Sequence, residues 1–212
     1  DAVNLVRKVG RSGTRVILDH VSLSILPCEF VALVGGSGAG KSTLLHALCG
    51  VTPAQEGSVL FNGQDFYRDP GPYRAMIGYV PQDDILHRDL PVGRALNYAA
   101  RLRLPPDTSP DERARRVDEA LAEVKMQEHR DQVISRLSGG QRKRISIAVE
   151  LLAHPSILFL DEPTSGLDAG LDKTVMSMLQ LLCDQGQTIV RAFPNWPIGP
   201  PRRERGRVWE SE

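Results

Sequence analysis

The stretch "EFVALVGGSGAGKSTLLHALCG" at residues 29–50 constrains the fold of this chain more than any other. A continuous apolar run, as in a strand buried on both faces, leads into a glycine-rich turn. A segment of helical spacing follows and stops at Gly50. Within it, Gly35 is followed after four residues by Gly40-Lys41-Ser42, the spacing of a phosphate-binding P-loop. Gly35, Gly36, Ser37, Gly38, Ala39 and Gly40 let the backbone wrap so that successive N–H groups face one anion. The helix starting near Lys41, Ser42 and Thr43 adds about half a positive charge. Lys41 is expected to reach the outer phosphates and Ser42 to ligate Mg2+.

"SILFLDEP" (156–163) supplies a complementary half. An apolar strand ends in Asp161, whose carboxylate suits the water shell of Mg2+. Glu162 follows, and strand alternation predicts that it points the other way, placed to orient or deprotonate an attacking water. "LSGGQRKR" (137–144) is a third motif: Ser138-Gly139-Gly140-Gln141 opens a helix and forms a second anion site. One nucleotide does not need two such sites from one small domain, so the second is expected to cover the nucleotide of another subunit.

The three motifs together make the chain resemble the nucleotide-binding domain of an ATP-binding cassette (ABC) transporter over roughly residues 1–190. "IGYVPQDDILHRDLPVGRALNYAARLRLP" and "QRKRISIAVELL" look most like the White/sterol-exporter (G-type) subfamily and its bacterial relatives. The resemblance implies an α/β P-loop NTPase fold: a mostly parallel core sheet, an antiparallel β subdomain and an inserted α-helical subdomain. It implies ATP and Mg2+ as ligands, with Gln82 at the metal and its water as a sensor of the membrane partner. Asp168, in "SGLD" (165–168), would communicate across a dimer. Two such domains would enclose two ATP molecules head to tail, beside transmembrane domains that export a substrate, at the cytoplasmic face of the membrane.

The pattern along the chain agrees. "TRVILDHVSLSIL" (14–26) alternates as a half-exposed strand does, and "GSVLFNG" (57–63) and "AMIGYVP" (75–81) are short strands bounded by turn residues. Residues 83–137 look like a helical insert, including helices at 92–104 and 109–126. The second has Ser109 as N-cap, Pro110 at the first position and Glu112 at the capping-box position. Helices at 140–153 and 170–186 and a last strand at 187–190 complete the alternation.

Composition excludes several other classes. Lys plus Arg and Asp plus Glu both number 26, so no global field favours nucleic acid, and no nucleic-acid partner is expected. The basic runs 142–144 and 202–207 read as a phosphate-proximal or solvated helix face and as a mixed-charge tail. The three cysteines and five histidines are scattered without metal-ligand spacing, which fits a reducing compartment. No apolar run approaches the roughly 18 to 20 residues that span a bilayer. The chain begins at Asp1 without Met and enters a strand at once, so a soluble cytoplasmic domain excised from a longer polypeptide is expected.

Two departures from the family pattern stand out. No aromatic occupies the first strand to stack on adenine; Arg7 falls near that slot. After the last strand, Pro194 stands where the family places a switch histidine, and four prolines lie between Pro194 and Pro201. The domain is therefore expected to span 1–191, with 192–212 an atypical Pro/Arg-rich tail, foreign or frameshifted and disordered. ATP binding with little turnover is expected of this chain. For the domain's function the leading expectation is an ATPase that binds and hydrolyses Mg-ATP to power transport. The alternatives are a truncated cassette that binds ATP with little or no turnover and a soluble ABC-type ATPase of translation or DNA repair.

Overall fold

A computed structural model describes residues 1–10, 15–163, 169–193 and 206–210, the backbone alone at 169–172 and 206–210. The chain opens with β1 (Ala2–Val9), β2 (Arg15–Leu23), β3 (Phe30–Val34) and α1 (Lys41–Leu48). A hairpin of β4 (Glu56–Phe61) and β5 (Gln64–Asp65) precedes β6 (Ile77–Val80). Three helices follow, α2 (Val92–Arg103), α3 (Pro110–Glu123) and α4 (Gly139–Leu151). Then come β7 (Ile157–Leu160), α5 (Ala169–Asp184), β8 (Thr188–Phe193) and β9 (Gly206–Glu210).

The strands form two sheets. An antiparallel sheet has the order β2-β1-β4-β5, and a parallel sheet has the order β6-β7-β8-β3-β9. The expected fold class is thus the observed one. Although the parallel strands are apolar nearly throughout, their side chains still alternate between faces. Val31, Leu33, Phe159, Val190 and Ala192 join one core, shared with α1 and with Leu5, Leu18 and Val59 of the antiparallel sheet. Phe30, Leu158, Leu160 and Ile189 join the other, built with α2, α3, α4 and α5. Helix α1 therefore lies between the sheets, with Leu44, Leu45 and Ala47 fully buried. No helix among the described residues is long and apolar enough to cross a membrane.

Helix starts follow local chemistry. The Ser109 side chain accepts from the Glu112 N–H at 3.1 Å, as expected of an N-cap. Ser138 goes further and forms a full capping box with Gln141.

The C-terminal expectations need correcting. Strand β8 does not stop at Val190: Ala192 and Phe193 remain in register with Leu33 and Val34 and are buried. Nor are residues 192–212 disordered throughout, because Gly206–Glu210 pair in parallel with Phe30–Val34 as an edge strand. "GRVWE" carries a β-branched and an aromatic residue, and β3 offers it a free edge, a combination that outweighs the proline-rich segment before it. Pro194 itself lies outside the described residues.

Candidate nucleotide site

The parallel strands direct their C-terminal ends to one rim, the usual place for a ligand in an open α/β sheet. Chain segments 35–40, 81–84 and 161–163 all leave the sheet there. Register fixes their order: Asp161 donates its N–H to the Val80 carbonyl at 2.9 Å, placing the Gln82 loop beside Asp161.

The glycine-rich loop is built by its backbone. Ala39 N–H donates to Gly36 O at 3.2 Å, and Gly38 has φ +81°, the third-residue conformation of a type II turn. Gly40 (φ +90°) is the N-cap of α1, and a Cβ there would sit 3.1 Å from both Ile17 Cγ2 and Ile17 O. No side chain caps α1 and its first turn carries no acidic residue, so its N-terminal N–H groups remain directed at the rim.

Around this loop, four side chains form two contacting pairs. Lys41 is only 5% exposed, and its Nζ donates to Gly35 O at 2.9 Å and Gly36 O at 3.0 Å. The same Nζ lies 3.6 Å from Glu162 Oε1. Ser42 Oγ donates to Asp161 Oδ1 at 2.9 Å. This pair offers a hydroxyl and a buried carboxylate, hard oxygen donors of the kind Mg2+ takes when substrate phosphates and water complete its shell. Among the described residues no cluster of three His, Cys, Asp or Glu could hold a metal unaided.

Glu162 does not get its direction from strand alternation. Strand β7 ends at Leu160, and Glu162 adopts a left-handed φ of 43°, which turns its carboxylate toward Lys41. Such a conformation costs a non-glycine residue roughly 1 to 2 kcal/mol. Beneath Asp161, His46 Nε2 and the Tyr79 hydroxyl are 2.7 Å apart. Burial, reinforced by the Asp161 charge, holds the Tyr79 phenol well above its usual range, and burial pushes the Cys49 thiol up to about 11. Both groups stay neutral near the acidic rim.

The Ser138 turn is a separate place. Ser138 Oγ accepts from Gln141 N–H at 3.3 Å, and Gln141 Oε1 accepts from Ser138 N–H at 2.8 Å. Gln141 Nε2 lies 2.6 Å from His129 Nε2. The Ser138–Gln141 bonds close within the turn, Gln141 also reaches His129, and Ser138 is exposed. Asp168 lies outside the described residues. Arg7 Nη1 donates to Pro53 O at 2.9 Å.

The basic run 142–144 is not a solvated face. Lys143 is 6% exposed and donates to Gln82 O at 2.7 Å and Pro81 O at 3.2 Å, beside Asp84 Oδ1 at 2.8 Å. Arg144 Nη1 donates to Val124 O and Lys125 O at 3.3 and 3.2 Å. Sequence reading missed Asp84 and Lys143. Only the acidic pair after Gln82 and the basic run after Gln141 hinted at them.

A strand–glycine loop–helix, a buried lysine over the loop and a Ser–Asp pair at the rim of a parallel sheet define a P-loop nucleotide-binding domain. A family model described as ABC transporter matches residues 18–165, and the chain belongs to that family as an ATP-binding domain. It is 49% identical over 178 residues to the ABC transporter ATP-binding/permease protein Rv1747 of Mycobacterium tuberculosis, covering 84% of this chain and 21% of that protein. With ABC transporter G family member 14 of Arabidopsis thaliana it shares 39% identity over 186 residues, 85% of this chain and 28% of that one. The chain thus spans about a quarter of these relatives, and its kinship is with G-type domains. Among solved structures, the dimeric bacterial ABC transporter cassette MJ0796 superposes with a TM-score of 0.80 at 27% identity, covering 92% of this chain and 87% of that one. The same cassette in a post-hydrolysis state bound to ADP and Pi gives 0.78 at 27% identity, covering 90% and 86%.

Proposed function

We propose that this domain binds Mg-ATP on the loop at 35–43 and works as half of a head-to-tail pair that powers transmembrane transport, in the direction of export. One observation carries the reading: helix N-termini suited to anions stand at Lys41 and at Ser138, and the second, capped by its own Ser138 and Gln141, is a separate place from the first. A partner's nucleotide gives the second a use. The dimeric state of the 27%-identical cassette supports this.

In the proposed mechanism Lys41 exchanges the Gly35 and Gly36 carbonyls for phosphate oxygens, and the α1 N–H groups complete the cradle. Ser42, Asp161 and Gln82 would hold Mg2+, which would neutralise phosphate charge. Glu162, freed of Lys41, orients a water and accepts its proton. Ser138, Gly139, Gly140 and Gln141 close the partner's site, with Asp168 carrying contact between the two.

Phe193 is in register with Val34, the residue before the loop, and Pro194 follows it in sequence where the resemblance places the switch histidine. Proline in that position has no proton-carrying or hydrogen-bonding side chain. Loss of one preorganised group at a developing charge slows reaction roughly 10²- to 10³-fold. Binding with slow turnover is therefore the state proposed for this chain.

The test is steady-state Mg-ATP hydrolysis by residues 1–212 with Glu162→Gln as blank, and nucleotide binding in parallel. Binding with turnover close to the blank is expected. Turnover far above the blank would refute the part assigned to Pro194. Absence of Mg-ATP binding would refute the whole reading.

A further inference from the structure

The loop carrying Gln82 is exposed at Gln82 and Asp83, yet its backbone is held from below by a buried charge. Lys143 Nζ has three hydrogens, and three acceptors surround it: Gln82 O at 2.7 Å, Asp84 Oδ1 at 2.8 Å and Pro81 O at 3.2 Å. The facing carboxylate is equally committed. Ser146 Oγ donates to Asp84 Oδ1 at 3.1 Å, and Arg142 Nε approaches Asp84 Oδ2 at 3.8 Å. The side chains of Asp84 and Lys143 are 14% and 7% exposed, so this is a largely desolvated ion pair.

The holder of the loop matters as much as the hold. Arg142, Lys143 and Ser146 all belong to α4, a helix of 13 residues that begins at the Ser138 turn. Lys143 follows Ser138 by five residues, about 8 Å along a rigid helix axis. A shift of the Gln82 backbone must therefore either break the bonds of Lys143 to Pro81 O and Gln82 O or carry the N-terminal turn of α4 with it.

We propose that Lys143 and Asp84 form a latch joining the Gln82 loop to the Ser138–Gln141 turn, and that Lys143 is a positioning residue for both. The inference rests on the roles given to Gln82 and Ser138 above and adds the part that links them. Lys143 touches no nucleotide. It sets the carbonyl, and through it the Cα, from which the Gln82 amide reaches the rim, and it delivers any displacement there to the turn that covers the partner's nucleotide.

Hydrogen–deuterium exchange at a dilution where the protein is monomeric tests this, with and without Mg2+ and a non-hydrolysable ATP analogue. Lys143→Met removes the ammonium and keeps the stem. Asp84→Asn with Lys143→Met removes both charges, so no buried carboxylate is left unpaired and the melting temperature returns toward the parent's. Nucleotide is expected to slow exchange at residues 139–142 of the parent about fivefold or more, the low end of ordinary coupling between sites. In both variants that slowing is expected to fall below about twofold while analogue affinity stays within about threefold. A merely structural pair predicts instead that the double variant regains the slowing along with its melting temperature, and that result overturns the latch. So does a parent that binds nucleotide without any change at 139–142. A parent that fails to bind sinks the functional reading, and the latch with it.

Discussion

Gly38 and Gly63 offer a controlled perturbation of the phosphate cradle. Both have φ +81°, and a Cβ built on either meets nothing within 4 Å. Gly38 lies in the glycine-rich loop; Gly63 follows Asn62 (φ 50°) in the two-residue turn between β4 and β5, remote in chain and sheet from the rim. Alanine at either position must hold a left-handed backbone, which costs roughly 1 to 2 kcal/mol with no steric addition. For a domain of this size the melting temperature should fall by about 2 to 8 °C, and by the same amount in both variants. Their nucleotide affinities should differ. If the Gly38 backbone lies against phosphate, its new methyl group occupies ligand space and the dissociation constant for Mg-ATP rises about tenfold or more, about 1.4 kcal/mol. Gly63→Ala should leave it unchanged. The assays are thermal melting without nucleotide and titration calorimetry with Mg-ATP. Equal affinities for the two variants would show that Gly38 serves only its turn and that no phosphate approaches it. A much larger loss of stability at Gly38 would refute the premise of open space.

Three other perturbations test separate parts of the account. At Gly57 (φ +88°) a Cβ would lie 2.4 Å from the carbonyl oxygens of Val3 and Asn4, so Gly57→Ala must part β1 from β4; denaturant unfolding should show a loss of about 3 kcal/mol or more. Asp161→Asn keeps the shape beside Ser42 but removes the charge, and calorimetry should show Mg-ATP binding weakened about tenfold or more, with binding of ATP in EDTA much less affected. Burial, then the nearby Arg116 charge, lowers the His154 pKa, so the unfolded chain takes up protons first and stability is lost as pH falls below the ordinary imidazole value of 6.5. His154→Asn, suited to the φ of 47° there, should flatten melting temperature against pH on that acid side.

The sequence alone determined what short-range physics controls. A glycine loop between a buried strand and a helix needs only neighbouring residues to specify it, and so Gly35 to Thr43 were readable directly. The same holds for the N-caps Ser109 and Ser138, whose partners lie three residues on. Asp161 was readable as the acid at the end of an apolar run. The tertiary structure decided everything that joins residues far apart in the chain. Ser42 meets Asp161 across 119 residues because the sheet order leaves a single strand, β8, between β3 and β7, and Lys143 meets Gln82 across 61 because α4 packs against β6. Glu162 turned toward Lys41 because the strand had already ended, which periodicity in an apolar run does not reveal. Strand β9 required the free edge of β3, a property of the assembled sheet and of no segment within it. Local backbone preferences write themselves into adjacent residues, whereas a buried charge acquires its partner only when the layers close.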